Sequence, residues 1–133
     1  MTVLDASVII KWFKPDEKSP AADRLLKEHL ASRDSIFVPI LLLYEFTNAL
    51  LYSKRLTIKE IEIALGILEE AKINYVNPDR ELLVSALLIS AKAKISLYDS
   101  SYIALAQKLD CALITADQKL YQKAKSLIET NLL

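Results

Sequence analysis

Short apolar runs alternate with longer amphipathic stretches along the whole chain. Thr2 to Leu4 is a brief apolar run that stops at Asp5, and Ala6 to Lys14 reads as a helix stopped by Pro15. Ser19-Pro20 supplies an N-cap and a proline at the first helical position, and Leu25, Leu26 and Leu30 give the helix that follows an apolar face. Ile36 to Val38 is a short β-rich run closed by Pro39. From Ile40 to about Lys54 the pattern is helical again, with Leu42, Leu43, Phe46, Ala49 and Leu50 on one broad face. Thr57-x-x-Glu60 is a capping box opening a helix to about Lys72, and Ile73 to Val76 reads as a third strand. Asn77-Pro78 starts a helix reaching about Lys94, whose stretch 82–91 is apolar nearly all round, so it is expected to be internal or part of a subunit interface. Ser96-x-x-Asp99 starts a helix to Leu109, and Cys111 to Ile114 is a fourth strand. Thr115-x-x-Gln118 is expected to cap a long last helix, with Leu127-Ile128 a fifth, edge strand. Strands alternating with helices imply βαβ units and a parallel sheet. The expected fold is a three-layer α/β domain with a short parallel sheet of four or five strands flanked by helices. A length of 133 residues fits that as a single domain over 1–133.

Composition removes most catalytic chemistries. One glycine, Gly66, excludes a P-loop and a dinucleotide-binding turn, which need several positions without a Cβ close to phosphate. One cysteine, Cys111, excludes an internal disulfide and any cysteine-based zinc or iron–sulfur site. One histidine, His29, cannot form the His pair of a catalytic zinc site, and it lies in a helix whose pattern reads as surface. Carboxylates remain abundant, at 17 Asp and Glu against 17 Lys and Arg, so chemistry here is expected to be carried by acids. The zero net charge indicates neither a polybasic nucleic-acid binder nor an acidic tail. The N-terminus lacks a basic region ahead of an apolar one, and the apolar span after Asp34 is interrupted by Pro39, Glu45 and Asn48. The chain therefore reads as cytoplasmic and not membrane-bound.

Four acids stand out of place. Asp5 directly follows the first strand and Asp117 lies three residues beyond the fourth, and ligands of open parallel sheets bind at the carboxyl ends of strands. Glu45 is the sole charge between Asp34 and Lys54, and Asp99 opens the helix that leads to the fourth strand. Taken singly, each Asp has an ordinary explanation as a helix cap or first-turn acid. Taken together, all four can converge at one end of one sheet, where their repulsion calls for a divalent cation; an all-oxygen site suits Mg2+ or Mn2+.

The set Asp5-Ala6-Ser7, Tyr44-Glu45-x-x-Asn48, Tyr98-Asp99-Ser100-Ser101-Tyr102-Ile103-Ala104-Leu105-Ala106 and Leu113-Ile114-Thr115-Ala116-Asp117-x-x-Leu120 resembles the PIN-domain ribonucleases, and among them the VapC toxins of VapBC toxin–antitoxin pairs. The likeness runs in order over nearly the whole chain, although 57–95 fits only by its helical pattern. It implies that Asp5, Glu45, Asp99 and Asp117 form a catalytic metal site for Mg2+ or Mn2+. Ser7 and Thr115 would orient those carboxylates, and Asn48, one helical turn after Glu45, either faces the site or bonds within the fold. The implied activity is metal-dependent endoribonucleolytic hydrolysis of RNA, leaving 5′-phosphate and 3′-hydroxyl ends. The implied partners are a second copy of the chain and a cognate antitoxin, with the helices over 82–91 and 58–72 as contact surfaces. Lys11, Lys14, Lys92, Lys94 and Lys119 are candidate phosphate contacts, while Trp12 and Phe13 are either stacking platforms or core.

Two other classes remain open on the sequence. A catalytically silent PIN-like binding module would share the fold and work only through a partner. A receiver-like phospho-acceptor domain would need paired acids after the first strand and an acceptor Asp after the third, where this chain has Val76-Asn77-Pro78-Asp79.

Overall fold

The computed structural model describes residues 1–133. Five strands, β1 (Thr2–Leu4), β2 (Ile36–Pro39), β3 (Asn74–Val76), β4 (Ala112–Thr115) and β5 (Thr130–Leu132), form one sheet in the order β3-β2-β1-β4-β5. Every pairing is parallel, with Thr2 opposite Ile36 and Leu4 opposite Ile114. Seven helices surround it: α1 (Ala6–Ile9), α2 (Pro20–Leu30), α3 (Leu42–Ser53), α4 (Ile58–Glu70), α5 (Arg80–Ala93), α6 (Leu97–Leu109) and α7 (Gln118–Ala124). This is the expected three-layer α/β fold. The strand order reverses between β1 and β4, and the carboxyl ends of those two strands flank the crevice where such sheets bind ligands.

The core explains the layering. Val3, Leu4, Val38 and Leu113 are fully buried in the middle of the sheet. Helix α6 lies against β1, β2 and β4 and buries Ser100 and Tyr102 to Ala106, which makes it the internal helix of the domain. Helix α5 packs on α6 through Leu82, Ala86 and Ile89. Its opposite side carries Leu83, Val84, Leu87 and Leu88 exposed, so the apolar stretch 82–91 is half core and half open face.

Several sequence expectations are corrected. The helix expected over 6–14 ends at Ile9 and tightens into 3-10 turns at Ile10–Trp12 and Pro15–Glu17. That tightening lets the Trp12 indole N–H donate to the Ala22 carbonyl at 2.8 Å. Phe13 meets Phe46 edge-on at 5.0 Å, so both aromatics are packing elements and not stacking platforms. Helix α5 begins at Arg80 behind an Asp79 cap that accepts from the Leu82 N–H, not at Asn77-Pro78. Asp79 follows edge strand β3, which pairs with β2 and not with β1, so it does not stand beside the acid after β1 as a receiver-type acceptor would. The last helix is short and is capped by Asp117, because Thr115 is still inside β4. The fifth strand is Thr130–Leu132; Leu127 and Ile128 instead lie in the turn before it and pack against the core. His29 is half-buried and not a surface residue: Nε2 lies 3.0 Å from the Ala71 carbonyl, and Nδ1 accepts from the Ile36 N–H, tying α4 to β2.

Candidate active site

Each of the four acids sits where a strand hands over to a helix, or in the first turn of one. Asp5 is the first residue after β1, and its own N–H donates across to the Ile114 carbonyl of β4. Asp117 is the N-cap of α7, while Glu45 and Asp99 occupy the first turns of α3 and α6. The N-termini of α3, α6 and α7 therefore aim their partial positive charge at one region, which softens the repulsion among acids gathered there. Their charges act on one another: Asp5 feels the charge of Asp117, Glu45 those of Asp99 and Asp5, and Asp99 that of Asp117.

Asp5 is the buried member, 6% exposed. It could have capped α1, but its carboxylate makes no cap bond. Ser7 Oγ donates to Oδ1 at 2.6 Å and Thr115 Oγ1 donates to Oδ2 at 2.9 Å. The same two hydroxyls accept main-chain N–H bonds, Ser7 from Ala116 at 2.8 Å and Thr115 from Asp117 at 3.0 Å. With its acceptor side taken by an amide, each hydroxyl must aim its proton at the carboxylate. Burial pushes the Asp5 carboxyl up to about 6, against the pull of those two bonds and with the Asp117 charge adding to the rise.

The other three are more open. Burial raises Glu45, the Tyr102 hydroxyl opposes this, and the charges of Asp99 and Asp5 raise it further. Tyr102 O–H donates to Glu45 Oε1 at 2.6 Å from a fully buried ring on α6, and burial together with the Glu45 charge keeps that phenol protonated. Burial and the Asp117 charge raise Asp99, partly offset by Ser96. Ser96 Oγ accepts from the Asp99 N–H, and the carboxylate does not complete a capping box. Asp117 does serve as a cap: Oδ1 accepts from Lys119 and Leu120, leaving Oδ2 unbonded.

Asn48 is exposed and bonds none of the four acids. The residue missed on the sequence is Tyr102. Its signal was present, because a tyrosine inside the buried run 102–106 of α6 needs an acceptor for its hydroxyl. Lys119 stands exposed in the first turn of α7, while Lys14 is engaged with Glu17.

The donor set suits a hard divalent cation. Four carboxylates share one region, none joins any ion pair of the chain, and burial and mutual charge raise three of them. Nowhere do three His, Cys, Asp or Glu side chains stand close enough to grip a metal as they are. One oxygen of Glu45 is held by Tyr102 and one of Asp117 by its cap.

Comparison with known proteins places the chain in a family. The chain is 30% identical over 130 residues to Ribonuclease VapC3 of Pyrobaculum aerophilum, covering 95% of this chain and 96% of that protein. VapBC2 from Rickettsia felis, solved bound to a DNA fragment from its promoter, superposes with a TM-score of 0.76 at 13% identity, over 99% of this chain and 98% of that one. A toxin–antitoxin complex from Klebsiella pneumoniae gives 0.68 at 16% identity, over 91% and 90% of the two chains. At those identities the two structures speak for the fold. The PIN domain model matches residues 2–126, and with a relative of 30% identity aligned over nearly its full length, the chain belongs to the PIN-domain family.

Proposed function

We propose that this protein is a divalent-metal-dependent endoribonuclease that hydrolyses RNA phosphodiester bonds and acts in the cytoplasm as the toxin of a toxin–antitoxin pair. The observation that carries the reading is the convergence of Asp5, Glu45, Asp99 and Asp117 at the strand-order reversal with no cationic side chain to neutralise them. A receiver-like domain finds no acceptor here, and a silent binding module has no use for such an arrangement.

Asp5, Glu45, Asp99 and Asp117 would hold the ion, Mg2+ or Mn2+. A divalent cation held there supplies positive charge to the scissile phosphate and acidifies an attacking water. The protein's part is to keep hard oxygen donors in place. Ser7 and Thr115 hold Asp5 in one rotamer through hydroxyls that are themselves anchored to the β4–α7 turn. Tyr102 fixes one oxygen of Glu45 and leaves the other free, and the α7 cap does the same for Asp117. The Asp99 carboxylate completes the set. Lys119, two residues beyond Asp117, is placed to meet a phosphate of the RNA.

The partner reading rests on the fold neighbours, which are toxin–antitoxin assemblies, and on the open apolar faces. Leu83, Val84, Leu87 and Leu88 on α5 suit a second copy of the chain, and Ile58, Ile63 and Ile67 on α4 add apolar surface for the dimer or an antitoxin. The test is cleavage of single-stranded RNA with Mg2+, with EDTA, and by Asp5→Asn and Asp99→Asn. Loss of cutting in EDTA and in both variants supports the reading. Cutting by the variants at the wild-type rate refutes it.

A further inference from the structure

We infer that Tyr44, Asn48 and Tyr98 form a nucleobase-binding cleft that seats a base next to the scissile phosphate; this rests on the ribonuclease reading above. The cleft has a volume of about 450 Å3 and is lined by Leu41, Tyr44, Glu45, Asn48 and Tyr98. Glu45 belongs both to this cleft and to the acidic site, so whatever lies in the cleft is a direct neighbour of the group held by the acids. Tyr44 is 84% exposed and Tyr98 65% exposed, large apolar areas for residues each one position before a site acid. Neither phenol nor the Asn48 amide makes a hydrogen bond within the protein, in contrast to Tyr102, whose hydroxyl is spent on Glu45.

The lining chooses the occupant. No lysine or arginine lines the cleft, so it offers nothing to a phosphate, and the Glu45 carboxylate would repel one. Two aromatic faces and a leucine suit the flat apolar surface of a base, and a free amide presents a donor and an acceptor to its edge. An RNA strand with its phosphate at the acids must put the flanking base within reach of these residues. A smaller apolar hollow of about 150 Å3 adjoins the cleft, sharing Leu41 and Tyr98. Glu45 does not line it.

The experiment compares wild type with Tyr44→Ala, Tyr98→Ala, Asn48→Ala and the two Phe variants. Substrates are single-stranded RNA oligonucleotides that differ only in the bases flanking a mapped cut. Loss of one stacked base is expected to raise KM about tenfold in each Tyr→Ala variant, with Phe recovering most of it. Asn48→Ala is expected to flatten the preference among flanking bases. The Mg2+-induced rise in melting temperature is followed in parallel, because the carboxylates carry it and the rings do not. An unaltered KM in the Tyr→Ala variants overturns the inference and leaves the cleft to a protein partner. Loss of the Mg2+-induced rise in those variants also overturns it, since the rings would then act by supporting the acids. Wild type that cuts no RNA sinks the ribonuclease reading and the cleft together, whereas active wild type with unaffected variants sinks the cleft alone.

Discussion

Asp5→Asn is expected to make the metal-free protein more stable at pH 8 while destroying its activity. Asp5 has an ordinary carboxyl value of 3.8 that burial lifts to about 6 in the fold. A raised carboxyl means the folded state holds its proton more tightly than the unfolded state does. Its contribution to stability is therefore full below about pH 4 and is lost as pH rises through about 6. That rise corresponds to about 3 kcal/mol of penalty at pH 8. Asparagine removes the charge but spoils part of the hydroxyl network. Ser7 and Thr115 already accept from the Ala116 and Asp117 amides and must donate inward, so an NH2 facing either hydroxyl displaces a hydrogen bond. Set against the protonated acid, that loss is of a bond between neutral groups and costs about 1 kcal/mol. The net gain is about 2 kcal/mol, or roughly 7 °C in melting temperature for a chain of this length.

The assay is thermal unfolding of wild type and variant in EDTA from pH 4 to 8, then at pH 8 with Mg2+ added. The difference between the two proteins isolates Asp5 together with its coupling to Glu45 and Asp117, because the titrations of the remaining groups are shared. The variant should lead at pH 8 and lose that lead by pH 4, where only the spoiled hydrogen bond remains. Adding Mg2+ should raise wild type and leave the variant unmoved. A variant less stable than wild type at pH 8, or a difference that does not change with pH, would refute the reasoning.

Four further outcomes follow from other parts of the molecule. Gly66 lies exposed in the interior of α4 with nothing within 4 Å of an added Cβ, so Gly66→Ala should stabilise by about 1 kcal/mol on helix propensity alone. Conversely, Lys54 ends α3 with φ 56°, a left-handed position glycine occupies without strain, so Lys54→Gly should add about 1 kcal/mol; denaturant titration reads both. Tyr102→Phe keeps the ring that fills the core but removes the donor to Glu45 Oε1. It should raise the Mg2+ concentration needed for half-maximal cleavage several-fold while shifting the melting temperature little, and an unchanged Mg2+ requirement would count against a positioning role. Leu88→Glu charges the open face of α5 at a residue 65% exposed in the single chain, so it should leave the monomer folded and abolish dimerisation in light scattering; a dimer that persists would place the contact elsewhere.

The fold was legible wherever burial dictated residue type. Strands β1, β2 and β4 lie in the middle of the sheet, and their apolar runs marked them out; edge strand β3 was also expected, one residue long at its start. Edge strand β5 was misplaced because Thr130-Asn131-Leu132 is half open to solvent and needs no apolar run, while the more apolar Leu127-Ile128 packs in the preceding turn. The break after Ile9 was hidden because it depends on a distant partner, the Ala22 carbonyl that accepts from Trp12. The roles of α5 and α6 were blurred for a related reason. Helix α5 is apolar nearly all round over 82–91, and only packing shows that Tyr102 to Ala106 of α6 face the sheet while Leu87 and Leu88 do not.

The site was legible through what its residues lacked. A lone charge in an apolar span, as at Glu45, has no local explanation, and that absence pointed at function more surely than any local pattern did. The ordinary explanations still hold in part. Asp117 really is a cap, and Ser96 really does cap α6 through the Asp99 amide. Capping and site-building share the same positions because a helix N-terminus that follows a strand lies at the carboxyl end of the sheet, where the free amides favour an acid whatever its further use. Tyr102 escaped notice because its role depends on a residue far off in sequence, on another helix. Its hydroxyl donates to a carboxylate that burial and two neighbouring charges already hold above its usual range. Such a bond lowers the cost of an ionised Glu45 without cancelling it, and a remaining uncompensated charge is what a cation-binding site requires. Complete neutralisation by lysine or arginine would stabilise the free fold and leave nothing for the metal to do.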